Sequence, residues 1–242
     1  MKRCSSGRGR ALLLLLALPW ISSGCAGSLF KTKVAPPTLY LLSVPPADAG
    51  AAHAGAADAA AAGVAAPGAE LKADLAVLKP RVRAGLDNDR IAALYPDRRL
   101  DYFADARWSG PLDEVIQDLV VQLFHSRAGL RNVSGDASAF ASAYWLEIEV
   151  ADFQAEYAGA AHAAGGPADG GTPPTVRVHF LARIGSSTER RIIARFEADA
   201  RQPATANRLS AIVDAYDHAA NQALMQIAAS CAAALSPQTK AP

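Results

Sequence analysis

Cysteine, histidine and long apolar runs are all scarce in this sequence, and each scarcity argues against a class of protein. Two of the three cysteines lie within the first 25 of 242 residues, so no disulfide framework is expected. No run of 18 or more apolar residues occurs, so no membrane-spanning helix is predicted. The five histidines are scattered and have no orienting partner close in sequence, so we expect neither an enzyme nor a metal or cofactor site.

The net charge of +1 is unevenly distributed. The first 24 residues carry four basic and no acidic side chains, and the remainder has 20 basic and 23 acidic residues, a net charge of −3. A nucleic-acid-binding protein would need a basic stripe, so we expect no nucleic-acid partner. The motifs GxSxG, HExxH, CxxC and the P-loop are also missing from the sequence.

The N-terminus is organised like a lipoprotein signal. Four basic residues within 1–10 precede the apolar segment 11–21, which as a helix would rise only about 16 Å, and small residues lead to Cys25. A glycine and a cysteine in this place resemble a bacterial lipobox, although Ser22 stands where leucine is usual. We expect 1–24 to be a signal peptide and Cys25 to carry acyl chains, palmitate among them. The alternative is a plain secretory signal that leaves Cys25 unmodified.

The residue after the cysteine indicates the membrane in which the anchor lies. Ala26 is not acidic, and by resemblance to lipoproteins of double-membrane bacteria this points to the outer membrane. Residues 25–37 would then be a tether that carries a periplasmic domain over 38–236. Two stretches rich in alanine, glycine and proline, 44–69 and 158–174, are expected to be flexible insertions in that domain.

The domain contains two kinds of periodicity. Alternating apolar and polar residues predict strands at 38–43, 71–77, 90–95, 100–103, 144–150, 176–184 and 192–199, with a hairpin turn at 96–99. Helical spacing predicts one helix from Leu112 to about Gly129 and a second from about Arg208 to Leu235. Each strand has one apolar face. The expected fold class is therefore α+β: a single two-layer domain with a mostly antiparallel sheet and two long amphipathic helices packed on one face.

Residues 85–112 resemble the signature stretch of the ABC-type transport auxiliary lipoproteins, the family of paraquat-inducible protein C. The matching residues are Gly85, Leu86, Asp87, Asp89, Arg90, Ile91, Arg99, Leu100, Asp101, Tyr102, Arg107, Trp108, Pro111 and Leu112. Two departures are Asn88, where threonine is common, and the turn near Asp97, which lacks a common glycine.

The resemblance implies a non-catalytic accessory of a lipid transport system. The implied partners are MCE proteins that bridge the periplasm, together with an ABC permease and ATPase, and the implied role is to dock that assembly to the outer membrane. An alternative is a periplasmic carrier that holds a phospholipid itself. A periplasmic hydrolase and a structural envelope lipoprotein are two further hypotheses.

Within the signature, Arg107 and Trp108 are the best candidates for partner binding, because arginine and tryptophan are frequent in interface hot spots. Arg99 and Tyr102 complete this tentative set. Trp108 has a second interpretation, in which it staples the hairpin to the first helix. Cys231 falls on the apolar stripe of the second helix, so we expect it to be a small buried residue without a redox role.

Overall fold

The structure, a computed structural model, describes residues 36–45, 71–127, 130–135, 142–158 and 172–236. The strands are β1 (Thr38–Tyr40), β2 (Leu71–Val77), β3 (Arg81–Val82), β4 (Arg90–Leu94), β5 (Leu100–Trp108), β6 (Leu130–Gly135), β7 (Tyr144–Glu156), β8 (Thr175–Ser186) and β9 (Arg191–Pro203). The helices are α1 (Leu112–Arg127) and α2 (Leu209–Leu235). The predicted signal peptide, Cys25 and most of the tether and of the two insertions lie outside the described residues.

Strand β7 is the axis of the sheet. One of its edges pairs along its whole length with antiparallel β8, which pairs in turn with antiparallel β9. The other edge pairs in succession with β2, β3 and β4, which all run parallel to it. Beyond β2 lies parallel β6, and beyond β4 lie antiparallel β5 and then β1, which is parallel to β5. The sheet is therefore forked on one side of β7.

The predicted α+β class is confirmed. The sheet is mixed, with its two longest pairings antiparallel, so a mostly antiparallel sheet and a two-layer arrangement stay predictions. Five of the eight strand pairings among the described residues are parallel. Alternation of apolar and polar residues reports which face of a strand is buried and not the direction of its neighbour. Periodicity could therefore not predict the parallel pairings.

Both helices form where the periodicity predicted them. Helix α1 begins at Leu112, and the carbonyl oxygen of the preceding residue, Pro111, accepts a hydrogen bond from the amide of Val115 at 3.1 Å. Asp113 and Glu114 occupy its first turn. The apolar stripe of α2 is buried, and Cys231 within it is 1% exposed. Both helices contribute to one cluster with the apolar side of the strands.

A bulge in β7 changes which of its residues face the core. The register with β8 shifts between Val150 and Asp152, so Ala151 is the extra residue. Because of this shift Phe153 lies in the core, 1% exposed, although strict alternation from Val150 would have turned it outward. Asp152 takes the outward position instead.

Candidate functional site

The signature stretch comprises β4, β5, the loop before them and the start of α1, which hydrogen bonds join to one another. Gly85 has a φ of 92°, a conformation that favours glycine, and its carbonyl oxygen accepts hydrogen bonds from the Tyr102 hydroxyl at 2.6 Å and from Asn88 Nδ2 at 3.0 Å. The carbonyl oxygen of Asn88 accepts from the amide of Leu112 at 3.1 Å. The loop is thereby joined both to the hairpin and to α1.

The hairpin turn predicted at 96–99 is confirmed. The amide of Arg98 donates a hydrogen bond to the carbonyl oxygen of Tyr95 at 2.9 Å. The amide of Tyr95 donates to the carbonyl oxygen of Arg99 at 3.0 Å. Arg98 has a φ of 66°, which is the left-handed conformation that closes a three-residue hairpin loop. An arginine therefore occupies a position where glycine would be less strained.

Arg107 and Tyr102, two of the predicted partner residues, keep part of their side chains at the surface. Arg107 Nη1 donates to Asp89 Oδ1 at 2.6 Å, and both side chains are about 40% exposed. Tyr102 is half-buried, and the guanidinium of Arg90 lies over its ring, 3.9 Å from the ring centroid. Arg90 and Arg107 are register partners, so they form a charged row across β4 and β5.

Arg99 lies at the opposite end of the hairpin from Arg107. Its guanidinium lies over the ring of Tyr95, 4.8 Å from the centroid, and its Nε is 3.8 Å from Asp97 Oδ2. The two arginines are eight positions apart in the sequence, roughly 27 Å along an extended chain. Arg99, Tyr102 and Arg107 are therefore spread along the hairpin and do not converge on a pocket.

Trp108, the fourth predicted partner residue, is 1% exposed and offers no surface to a partner. Its ring packs edge-on against Phe153, with centroids 5.8 Å apart, and against Tyr216 at 5.2 Å. The Tyr216 hydroxyl donates to the carbonyl oxygen of Ala92 at 2.6 Å, and burial raises the pKa of that hydroxyl well above its usual value. This geometry favours the stapling interpretation, and the ring contacts join the hairpin to β7 and α2.

Sequence reasoning missed a charged cluster on the outward face of the sheet. Asp152 is 8% exposed, and its carboxylate lies 2.9 Å from Arg83, 3.4 Å from Arg177 and 3.5 Å from His179. Arg177 also binds Asp199 at 2.9 Å, and this hydrogen bond lowers the pKa of that carboxyl. Alternating charges in β7, β8 and β9 are visible in the sequence, but which of them meet depends on strand register.

A second ion-pair group lies nearer the other end of β7. Glu147 lies 2.9 Å from Arg81 and 2.6 Å from Arg183, and these residues border a shallow groove of about 380 Å³. Arg195 and Glu197 contribute to the same groove. Its lining carries both signs of charge, so it has no single charge preference for a ligand.

The described residues present no familiar reactive arrangement. His179 has carboxylates on both ring nitrogens, 3.0 Å from Glu197 and 3.5 Å from Asp152, and no nucleophile is paired with it. Within the described segments no group of three or more histidine, cysteine, aspartate or glutamate side chains is placed to hold a metal ion. Neither described helix has the length and apolar composition needed to span a membrane.

Comparisons with known proteins identify related sequences and folds. The model of the ABC-type transport auxiliary lipoprotein component family matches residues 57–228, which include the whole signature stretch. Protein XCC0632 from Xanthomonas campestris, of the family DUF330, has a similar structure, with a TM-score of 0.62 and 18% identity over 85% of this chain and 98% of that chain. An uncharacterized protein gives a TM-score of 0.54 and 13% identity over 81% and 99% of the two chains. At these identities the likeness shows the fold alone. No curated protein matches the chain significantly.

Proposed function

This chain belongs to the ABC-type transport auxiliary lipoprotein component family, and we propose on that premise that it is the outer-membrane-anchored accessory of an MCE-type lipid transport system. Acyl chains on Cys25, palmitate included, hold it in the outer membrane, and the domain from Thr38 onward faces the periplasm. Its partners are MCE-domain proteins that bridge the periplasm, together with the permease and ATPase of the ABC transporter. Its role is to dock that assembly to the outer membrane.

One observation carries this proposal: the family signature builds a rigid, charged hairpin. Arg107 is held by Asp89, and Arg99 is held by Tyr95 and Asp97, on a backbone that the turn and the preceding loop fix. Side chains that are already ordered lose little entropy when a partner binds, and charged side chains at a surface give an interface its specificity. A hairpin of this kind suits docking.

We propose further that the domain acts without catalysis. The signature side chains bind one another or the core and include no nucleophile paired with a base. The one histidine with two close carboxylates, His179, belongs to the ion-pair group around Asp152 on the outward face. These contacts support a structural role for that group.

The packing gives less support to the alternative, a carrier that holds a phospholipid itself. Between the helices and the sheet, the described residues form one core cluster, and each of its buried side chains is less than 10% exposed. The groove on the outward face is shallow, and although Phe196 contributes to its lining, charges such as Arg183 and Glu147 do not suit acyl chains. Native mass spectrometry of the domain purified without its acylated N-terminus tests the alternative, because a carrier would retain phospholipid in stoichiometric amount.

The anchor is tested by replacing the cysteine that would be acylated. We expect Cys25→Ala to abolish labelling with palmitate and to release the protein from the outer-membrane fraction or leave it uncleaved. Cys4→Ala is the matched control, because Cys4 lies in the predicted signal peptide and its loss should change neither. Unchanged fractionation of the Cys25 variant would contradict the anchor.

Docking is tested by reversing a charge on the hairpin. We expect Arg99→Glu and Arg107→Glu each to weaken co-purification of the MCE and ABC subunits from detergent-solubilised membranes by about tenfold or more. Arg131→Glu is the matched control: Arg131 is also an exposed arginine paired with an aspartate, 2.7 Å from Asp74, but it lies on β6 away from the hairpin. If all three variants captured the MCE and ABC subunits as well as the unsubstituted protein does, the hairpin would not be part of the interface.

A further inference from the structure

Two leucines close to the predicted tether lie exposed at the edge of the sheet. Leu39 is 59% and Leu41 is 71% exposed, whereas Tyr40, Leu42 and Val44 pack against the core. One exposed leucine needs no explanation. Alternate positions of an extended segment share a side, however, so both leucines stand where a water-facing segment would carry polar residues.

This segment is held firmly along its length. The carbonyl oxygen of Tyr40 accepts from the amide of Ser109 at 2.9 Å, at the end where β1 pairs with β5. At the other end the amide of Ser43 donates to Asp217 Oδ1 at 2.7 Å, and its carbonyl oxygen accepts from Asn221 Nδ2 at 2.8 Å. The two leucines are therefore fixed between β5 and α2 in an exposed position.

The same segment leads back to the proposed acylation site. Leu39 follows Cys25 by fourteen positions in the sequence, so at up to 3.6 Å per residue the chain between them can span at most about 50 Å. Acyl chains in a bilayer would keep the leucines near that bilayer at a high effective concentration. The register neighbour of Leu39 is Arg107, whose long side chain can reach phosphates at the headgroup level.

We propose that Leu39 and Leu41 insert into the boundary between headgroups and acyl chains of the bilayer that holds Cys25, so that the β1 edge of the domain rests on the membrane. The inference rests on the proposed function for the acylation of Cys25 and adds which side of the domain meets lipid. Apolar side chains on a rigid edge gain free energy on entering this boundary without needing a shaped partner.

The test uses the acylated mature protein in vesicles of phosphatidylethanolamine and phosphatidylglycerol. Leu41→Cys is labelled with the environment-sensitive dye nitrobenzoxadiazole. Cys231 should stay unlabelled, since burial raises the pKa of its thiol to about 12. Met225→Cys is the matched control, because Met225 is also an exposed apolar residue, 44% exposed, but lies on α2. We expect blue-shifted emission and quenching by nitroxide-labelled lipid at position 41 and water-like emission at position 225.

A second measurement uses the unacylated Cys25→Ser mature chain and its binding to the same vesicles. Leu39→Ala and Leu41→Ala should each weaken this binding by about tenfold, while circular dichroism shows an unchanged fold. If the acylated protein floats with vesicles but the dye at position 41 stays in water, the inference is overturned and the anchor stands. If the mature protein with Cys25 is not acylated and does not float with vesicles, both the inference and the anchor are overturned. Shielding of position 41 only when partner proteins are added would show a protein contact and overturn the inference.

Discussion

Replacing Trp108 with alanine is the sharpest test of the structural role assigned to this residue. The indole is 1% exposed and contacts the rings of Phe153 and Tyr216, so its removal opens a cavity among the hairpin, β7 and α2. Substitutions of this kind cost about 3–5 kcal/mol in the free energy of unfolding. For a domain of this size the melting temperature should fall by roughly 6–20 °C.

Urea unfolding followed by far-ultraviolet circular dichroism measures this change. Two variants bracket the expected effect: Trp108→Phe keeps an aromatic ring in the site and should cost less than alanine, and Leu39→Ala removes an exposed side chain and should change the free energy of unfolding by no more than about 0.5 kcal/mol. A loss below about 1 kcal/mol for Trp108→Ala, with an unchanged denaturant slope, would refute the stapling argument. The interpretation of Trp108 as a partner contact would then return.

Three further predictions concern single side chains elsewhere in the domain. Gly185→Ala would place a Cβ in steric conflict with the ring of Trp145, so we expect the free energy of unfolding in urea to fall by about 1–3 kcal/mol. Adding Trp145→Ala should restore part of this loss, and an unchanged free energy in the single variant would show that the ring moves aside freely. Arg98→Gly should raise the free energy of unfolding by up to about 1 kcal/mol, because the left-handed conformation at φ 66° no longer strains a side chain; a lower melting temperature would contradict this. The hydrogen bond from Arg177 lowers the pKa of Asp199, so the stability it contributes is complete above the unfolded carboxyl's pKa of about 3.9 and is lost as the pH falls through the lower folded value. Asp199→Asn should flatten the pH dependence of unfolding in that acid range, and an unaltered slope there would count against the ion pair.

The residues of α1 and α2 were predictable because their information is local. Each helix carries an apolar stripe at helical spacing, and α1 also has Pro111 at its start and two acids in its first turn. The positions of β8, β9 and the first half of β7 were predictable for the same reason, since neighbouring residues show which face is buried. The prediction for β7 ended at Val150, whereas the strand continues to Glu156. Strand β6 was missed because four of its six residues, Leu130–Gly135, are polar or glycine and it follows no clean alternation.

The candidate site was only partly predictable. The resemblance selected residues 85–112, and the structure shows that this stretch is tied together by hydrogen bonds to the carbonyl oxygens of Gly85 and Asn88. The outward cluster around Asp152 was beyond sequence reasoning, because Asp152 reaches that face only through the one-residue shift at Ala151. A bulge of this kind leaves no periodic trace in the strand that contains it.

By itself the sequence determined the two helices, the apolar face of the regular parts of the long strands and the family to which the chain belongs. These properties depend on spacing and on short motifs, which the linear order of residues already contains. Only the tertiary structure decided which strands run parallel and whether Trp108 is a surface anchor or a core residue. Whether its ring is covered depends on Tyr216 of α2, more than a hundred residues further along the chain, and contacts at that distance follow from the packing of the whole domain.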